Sequence, residues 1–145
     1  MTQISEWISN FIETYQKLDK DHLHLLADIY DSSIQFQDPL HKIDGLENLR
    51  NYLEKMYANV HYCHFDIHDS FHNDQQKAAV YWTMQLRHPK LKSGQLILVD
   101  GHSQLTYQQG KITHHRDYFD IGSMLYEQLP VIGAGIKYIK QRASS

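Results

Sequence analysis

Residues 110–120 read GKITHHRDYFD and hold His114, His115, Arg116, Asp117 and Asp120 within seven consecutive positions. A carboxylate beside an imidazole is a pair that can take up and return a proton near neutral pH. Alternate residues of a strand share a face. Thr113, His115, Asp117 and Phe119 therefore fall on one side, and Ile112, His114, Arg116, Tyr118 and Asp120 on the other. Either the polar groups form a wet outer surface, with Asp117 paired to Arg116 or Arg87, or one set lines a cavity.

A second group is less suited to chemistry. His64, Asp66 and His68 alternate with Cys63, Phe65 and Ile67. A His-x-Asp-x-His row can hold a metal, but it lacks a fourth ligand and supporting partners, so no metal site is expected. The chain has no glycine-rich phosphate loop, nucleophile elbow or zinc signature. Ser103 follows His102 directly, and adjacent strand residues diverge, so they make no triad.

The 145 residues suit one domain, 41% are apolar and 21% charged, and the net charge is −3. That mild charge argues against nucleic acid as a partner. Cys63 is the single cysteine, so no internal disulfide forms. The N-terminus lacks the basic and apolar regions of a secretory signal, and no apolar run reaches membrane-span length. A cytoplasmic protein is the expectation. Ten tyrosines and eleven histidines are the compositional excess. Tyrosine suits amphipathic cavities and interfaces.

The elements that must position these groups change period along the chain. Ile4, Trp7, Ile8, Phe11, Ile12, Tyr15 and Leu18 recur at helical spacing, and Asp19-Lys20-Asp21 ends the run. A second helix is expected over about 21–30. A short strand ends at Asp38-Pro39, because proline cannot donate to a ladder. A third helix covers about 46–58. From residue 60 the period becomes two, giving a meander of four antiparallel strands with a tight turn at Gln109-Gly110. Gly101 marks a bulge or a close approach. Residues 121–142 read as a helical extension in two pieces, broken at Pro130, with Asp120 as a candidate cap. Its stripe of Val131, Ile132, Ile136 and Ile139 suits closing the fold or packing on a second subunit, and less well a membrane surface. Helices followed by strands give an α+β class: a curved, mainly antiparallel sheet wrapped around N-terminal helices as a cone, with an added C-terminal helix. The mouth of a cone is a natural pocket.

The segments LADIYDSSIQFQDP, IDGLENLRNYL and HSQLTYQQGKITHHRDYFD carry a resemblance to the nuclear transport factor 2-like, or SnoaL-like, superfamily. The resemblance covers most of residues 3–120 and implies the fold of ketosteroid isomerase, limonene-epoxide hydrolase and the polyketide cyclases. By that resemblance, Tyr15 falls where the isomerase keeps its oxyanion tyrosine and Asp38 where it keeps its base. His102 falls where it keeps a protonated aspartic acid, which is a departure. The hydrolases use an arginine and two aspartates. Asp100 and Asp117 could supply the carboxylates, but LILVDGHSQL has no arginine. A cyclase-type base would be Asp117.

The resemblance also points Thr113, His115, Asp117 and Phe119 into the cone. Asp100 and His102 would join them unless Gly101 shifts the register, in a cavity walled by Trp82, Met84, Phe119 and Trp7. The function implied is binding of an apolar small molecule. If the chain is an enzyme, it is a cofactor-independent isomerase, cyclase or epoxide hydrolase acting on a carbonyl or epoxide. Asp117 or Asp38 would be the base, and His102, His115 and Tyr15 the donors. The alternative is a non-catalytic binding or interaction module. A homodimer through the outer sheet face is implied as well, with Tyr81, Thr83 and Tyr107 suited to it.

Overall fold

The computed structural model describes residues 5–124 and 132–144. Helix α1 (Glu6–Lys17) buries Ile8, Phe11, Thr14 and Tyr15 on one face, as the spacing of its apolar residues requires. A turn of 3₁₀ helix (Leu23–Leu25) leads into the short α2 (Leu26–Ile29), and strand β1 (Tyr30–Gln37) begins at once. The helix expected over 21–30 is thus shorter, and Tyr30 belongs to the strand. Strand β2 (Lys42–Asp44) folds back on β1, and α3 (Leu46–Asn59) buries Leu49 and Leu53. Gly45, at φ +92°, makes the sharp entry into α3 that an L side chain would resist.

Strands β3 (Tyr62–His72), β4 (Lys77–Arg87), β5 (Ile97–Gln108) and β6 (Lys111–Phe119) form the expected antiparallel meander. Gln109 and Gly110, both at positive φ, close the β5–β6 hairpin in the primed geometry that matches strand twist. The sheet order is β2-β1-β6-β5-β4-β3. β1 lies parallel to β6, so the sheet is mixed and its edge strands β2 and β3 are not joined. Helices α1 and α3 fill its inner face around a core that includes Phe11, Tyr30, Ile34, Phe36 and Leu105.

Three side-chain directions differ from the sequence reading. On β5 the inward residues are Ile97, Val99, Ser103 and Leu105, all nearly fully buried. Leu98, Asp100 and His102 therefore face outward. The β4–β5 register runs unbroken through Trp82↔Gly101, so Gly101 is a close approach and not a bulge. On β6 the register slips at Tyr107↔Ile112 and Thr106↔His114. Thr113 is the extra residue, so Ile112 turns into the core while His115, Asp117 and Phe119 keep their inward face. Third, Trp7 stacks on Tyr107 with ring centroids 4.8 Å apart, near the β5–β6 hairpin. Trp7 thus lines a small hollow with Tyr107, not the cavity walled by Trp82, Met84 and Phe119, and Tyr107 is no part of the outer face.

After β6 the short α4 (Ile121–Met124) packs by β5 with Met124 buried, and α5 (Ile132–Ser144) follows. The expected break at Pro130 lies outside the described residues. Lys140 on α5 pairs with Asp120 at 3.0 Å. Of the expected apolar stripe, Ile136 is half-buried and Ile139 exposed, while Val131 and the Ile132 side chain lie outside the described residues.

Candidate functional site

A cavity of about 400 Å³ opens between α3 and the inner faces of β3, β4 and β6. Its wall is largely apolar: Phe36, Phe65, Trp82, Met84, Leu86, Phe119 and Met124. Its polar groups come from Tyr15, Asp38, Tyr52, His88 and Asp117 among others. A few placed polar groups in an apolar hollow is the usual character of a small-molecule site.

Asp117 is the best supported of these groups. Its Oδ1 accepts from Ser103 Oγ at 2.6 Å and faces His115 Nε2 at 2.6 Å. His115 is nearly fully enclosed, while the Asp117 side chain keeps 14% exposure. Trp82 Nε1 donates to Ser103 Oγ at 2.9 Å, behind the carboxylate. Gly101 makes that bond possible. A Cβ there would sit 2.5 Å from the Trp82 ring and 2.7 Å from the Tyr118 carbonyl, so the indole can lie flat across the backbone only because the side chain is missing.

The network continues on the far side of the imidazole. His115 Nδ1 meets the Tyr30 hydroxyl at 2.6 Å, and Tyr30 meets the Tyr15 hydroxyl at 2.6 Å. With Asp117 as a carboxylate and a neutral ring, hydrogen-bond satisfaction places the imidazole proton on Nε2. Nδ1 then accepts from Tyr30, whose oxygen accepts from Tyr15. Every hydrogen in the row points toward Asp117. Burial pushes the Tyr15 phenol well above its ordinary value, and the negative charge of Asp117 adds to the rise, while the bond to Tyr30 works against it. Burial raises Tyr30 too, with Tyr15 and Asp117 contributing. Both phenols therefore keep their protons.

Asp38 is placed differently. Its Oδ1 accepts from the amides of Leu40 and His41 at 2.8 and 2.7 Å, and its Oδ2 accepts from Tyr52 Oη at 2.8 Å. These bonds hold the Asp38–His41 turn that leads into β2 and fix Tyr52 at the cavity edge. Burial, then the Asp38 charge, raises the Tyr52 phenol.

Of the residues expected to converge, Tyr15, Asp38, Trp82, Met84, His115, Asp117 and Phe119 do gather at or behind the cavity. Asp100 and His102 line a more open groove of about 870 Å³ with Arg116 and Tyr118. Asp38, Trp82, Asp117 and Phe119 border both spaces. Thr83 donates to Asp100 at 2.6 Å, and His102 is stacked between Tyr81 and Tyr118 at 5.0 Å from each. Asp117 pairs with His115 rather than with Arg116 or Arg87. His68 is the extra residue of a β3 bulge, which breaks the row with His64 and Asp66. No group of three or more metal-binding side chains occurs among the described residues. Tyr30, Ser103 and Tyr52 were missed as site residues. The signal for Ser103 was its place two residues after Gly101, among inward apolar neighbours.

A six-stranded mixed sheet wrapped on helices, with a cavity in its concave side, defines the nuclear transport factor 2-like class. The chain belongs to the SnoaL-like domain family, which it matches over residues 9–115. Solved structures agree on the fold. A protein of ketosteroid isomerase-like fold from Catenulispora acidiphila, in complex with trimethylamine, is 14% identical with a TM-score of 0.71, covering 88% of this chain and 96% of its own. A candidate SnoaL-like polyketide cyclase from Jannaschia is 9% identical with a TM-score of 0.74, over 92% and 99%. Another from Shewanella putrefaciens is 16% identical with a TM-score of 0.69, over 84% and 95%. No curated protein matches the sequence significantly. Among the described residues no helix is long and apolar enough to cross a membrane.

Proposed function

We propose that the chain binds a small, mostly apolar molecule bearing a carbonyl or enol group, and that Asp117 serves as its general base. The observation that carries this reading is a carboxylate on the wall of an apolar cavity, backed through Oδ1 by Ser103 and His115. Among the described residues no hydrogen bond reaches its Oδ2, which leaves one oxygen for a ligand. Proton abstraction next to a carbonyl asks for a placed base and a nearby donor, and needs no cofactor. Asp38 is the weaker base, since both its oxygens already accept protein hydrogens. The candidate cyclases of the same fold support the ligand class by analogy alone.

A thermal-shift screen with steroid enones, terpene epoxides, flat aromatic ketones and fatty acids tests the reading. A ligand at about 100 times its Kd adds about 2.7 kcal/mol, a shift of several degrees. Carbonyl compounds should stabilise the wild type and do so differently in Asp117→Asn. Shifts confined to fatty acids and identical in both proteins would make the chain a carrier instead.

We also propose a homodimer through the outer sheet face. Phe71, Tyr81 and Tyr118 lie exposed there, joined through His102 into one row across β3, β4, β5 and β6. Exposed aromatic area of this kind is enriched at interfaces.

A further inference from the structure

We infer that Tyr15, Tyr30 and His115 form a proton relay joining Asp117 to a second point on the cavity wall, so that one bound substrate can exchange a proton between two of its atoms. The inference rests on Asp117 meeting substrate, as proposed above. Both ends of the relay, Tyr15 and Asp117, line the same cavity. Between them run three consecutive contacts of 2.6 Å through two groups that are themselves almost wholly buried. Satisfying the buried ring asks only for Asp117 at Nε2 and Tyr30 at Nδ1. Here the row continues to a further hydroxyl, that of Tyr15, a residue that lines the ligand space.

The balance of the transfer is simple. An enol O–H against Tyr15 breaks, and its proton bonds to Tyr15 Oη. The hydrogen Tyr15 held passes to Tyr30, and that of Tyr30 passes to His115 Nδ1. The imidazolium gives its Nε2 proton to Asp117 Oδ1; the carboxyl group then turns about Cβ–Cγ, bringing the protonated oxygen to the cavity, and the acid delivers the proton to the substrate carbon. One O–H bond becomes one C–H bond, the electron pair of the enol forms the carbonyl, and nothing is oxidised. The reverse sequence is enolisation. The raised phenols fit this order, because a shift that exchanges hydrogens leaves no phenolate behind. In the resting row the Tyr15 hydrogen is given to Tyr30. Once Nδ1 is protonated both hydroxyls turn, and Tyr15 offers its hydrogen to the cavity, where it can hold the developing oxyanion.

The readout that a merely structural row would not move is the tautomer of the ring during turnover. Imidazole ¹⁵N spectra of histidine-labelled protein assign it. Without ligand the proton should sit on Nε2, with Nδ1 accepting from Tyr30. Each relayed transfer leaves the ring with its proton on the other nitrogen, so turnover of 2-tetralone should populate the Nδ1–H form. In Tyr15→Phe, which cuts the row but keeps both partners of the ring, only the Nε2–H form should appear. Tyr30→Phe is the second variant if the first does not fold. A proton on Nδ1 without ligand, or a ring that stays Nε2–H in wild type while the ketone exchanges its α-protons, would overturn the relay and leave Asp117 as base. A ketone that binds without exchanging would overturn the base instead, so either reading can fail alone.

Discussion

At the scale of single residues, the site depends on satisfying a buried carboxylate from behind. Ser103 both donates to Asp117 and accepts from Trp82. Ser103→Ala should leave the indole N–H without a partner and cost about 1–3 kcal/mol, read by urea denaturation. Cys63 offers a second check. Burial pushes its thiol up to about 12, so little thiolate exists near pH 8. Iodoacetamide should label it slowly in native protein and rapidly once urea exposes it; rapid native labelling at pH 8 would contradict the buried environment. The pair His115 and Asp117 was legible from strand parity once the fold was given. Tyr30 was not, because Leu23, Leu26, Ala27 and Tyr30 fit a helical face as well as they fit a turn and strand start. Asp100 and His102 misled for a physical reason. Both faces of β5 carry apolar residues, Leu98 outside and Ile97 and Val99 inside, so alternation alone could not choose between them.

At the scale of elements, the close approach of β4, β5 and β6 at Gly101 seats Trp82, which lines the cavity. Gly101→Ala forces the Trp82 ring and the Tyr118 carbonyl apart. The variant should lose about 1–3 kcal/mol and shift the tryptophan emission, measured by thermal melting and fluorescence. An unchanged spectrum and melting point would mean the indole does not lie across that backbone. The meander, its hairpin at Gln109-Gly110 and the helices α1 and α3 were readable, because each announces itself within a few residues. The parallel pairing of β1 with β6 was not. A period of two declares a strand but names no neighbour, and 73 residues lie between Gln37 at the end of β1 and Lys111 at the start of β6. The Thr113 bulge was equally silent, since it reverses the face of Ile112 without altering composition.

At the scale of the whole molecule, the aromatic row and the cavity lie on opposite faces of one sheet. A dimer through the row would leave the inner cavity intact while covering part of the outer groove. Sedimentation equilibrium should therefore return twice the mass of one chain, and Tyr118→Asp should halve it. In the proposed function, Asp117 takes a proton from a carbonyl ligand in the cavity. The most direct measurement is α-proton exchange in D₂O, followed by NMR, using the ketone that gives the largest thermal shift, with 2-tetralone as the starting probe. The wild type should accelerate exchange, and Asp117→Asn should return it to the rate without protein. Equal exchange in the two proteins, or none in the wild type with a ketone that binds, would contradict the account.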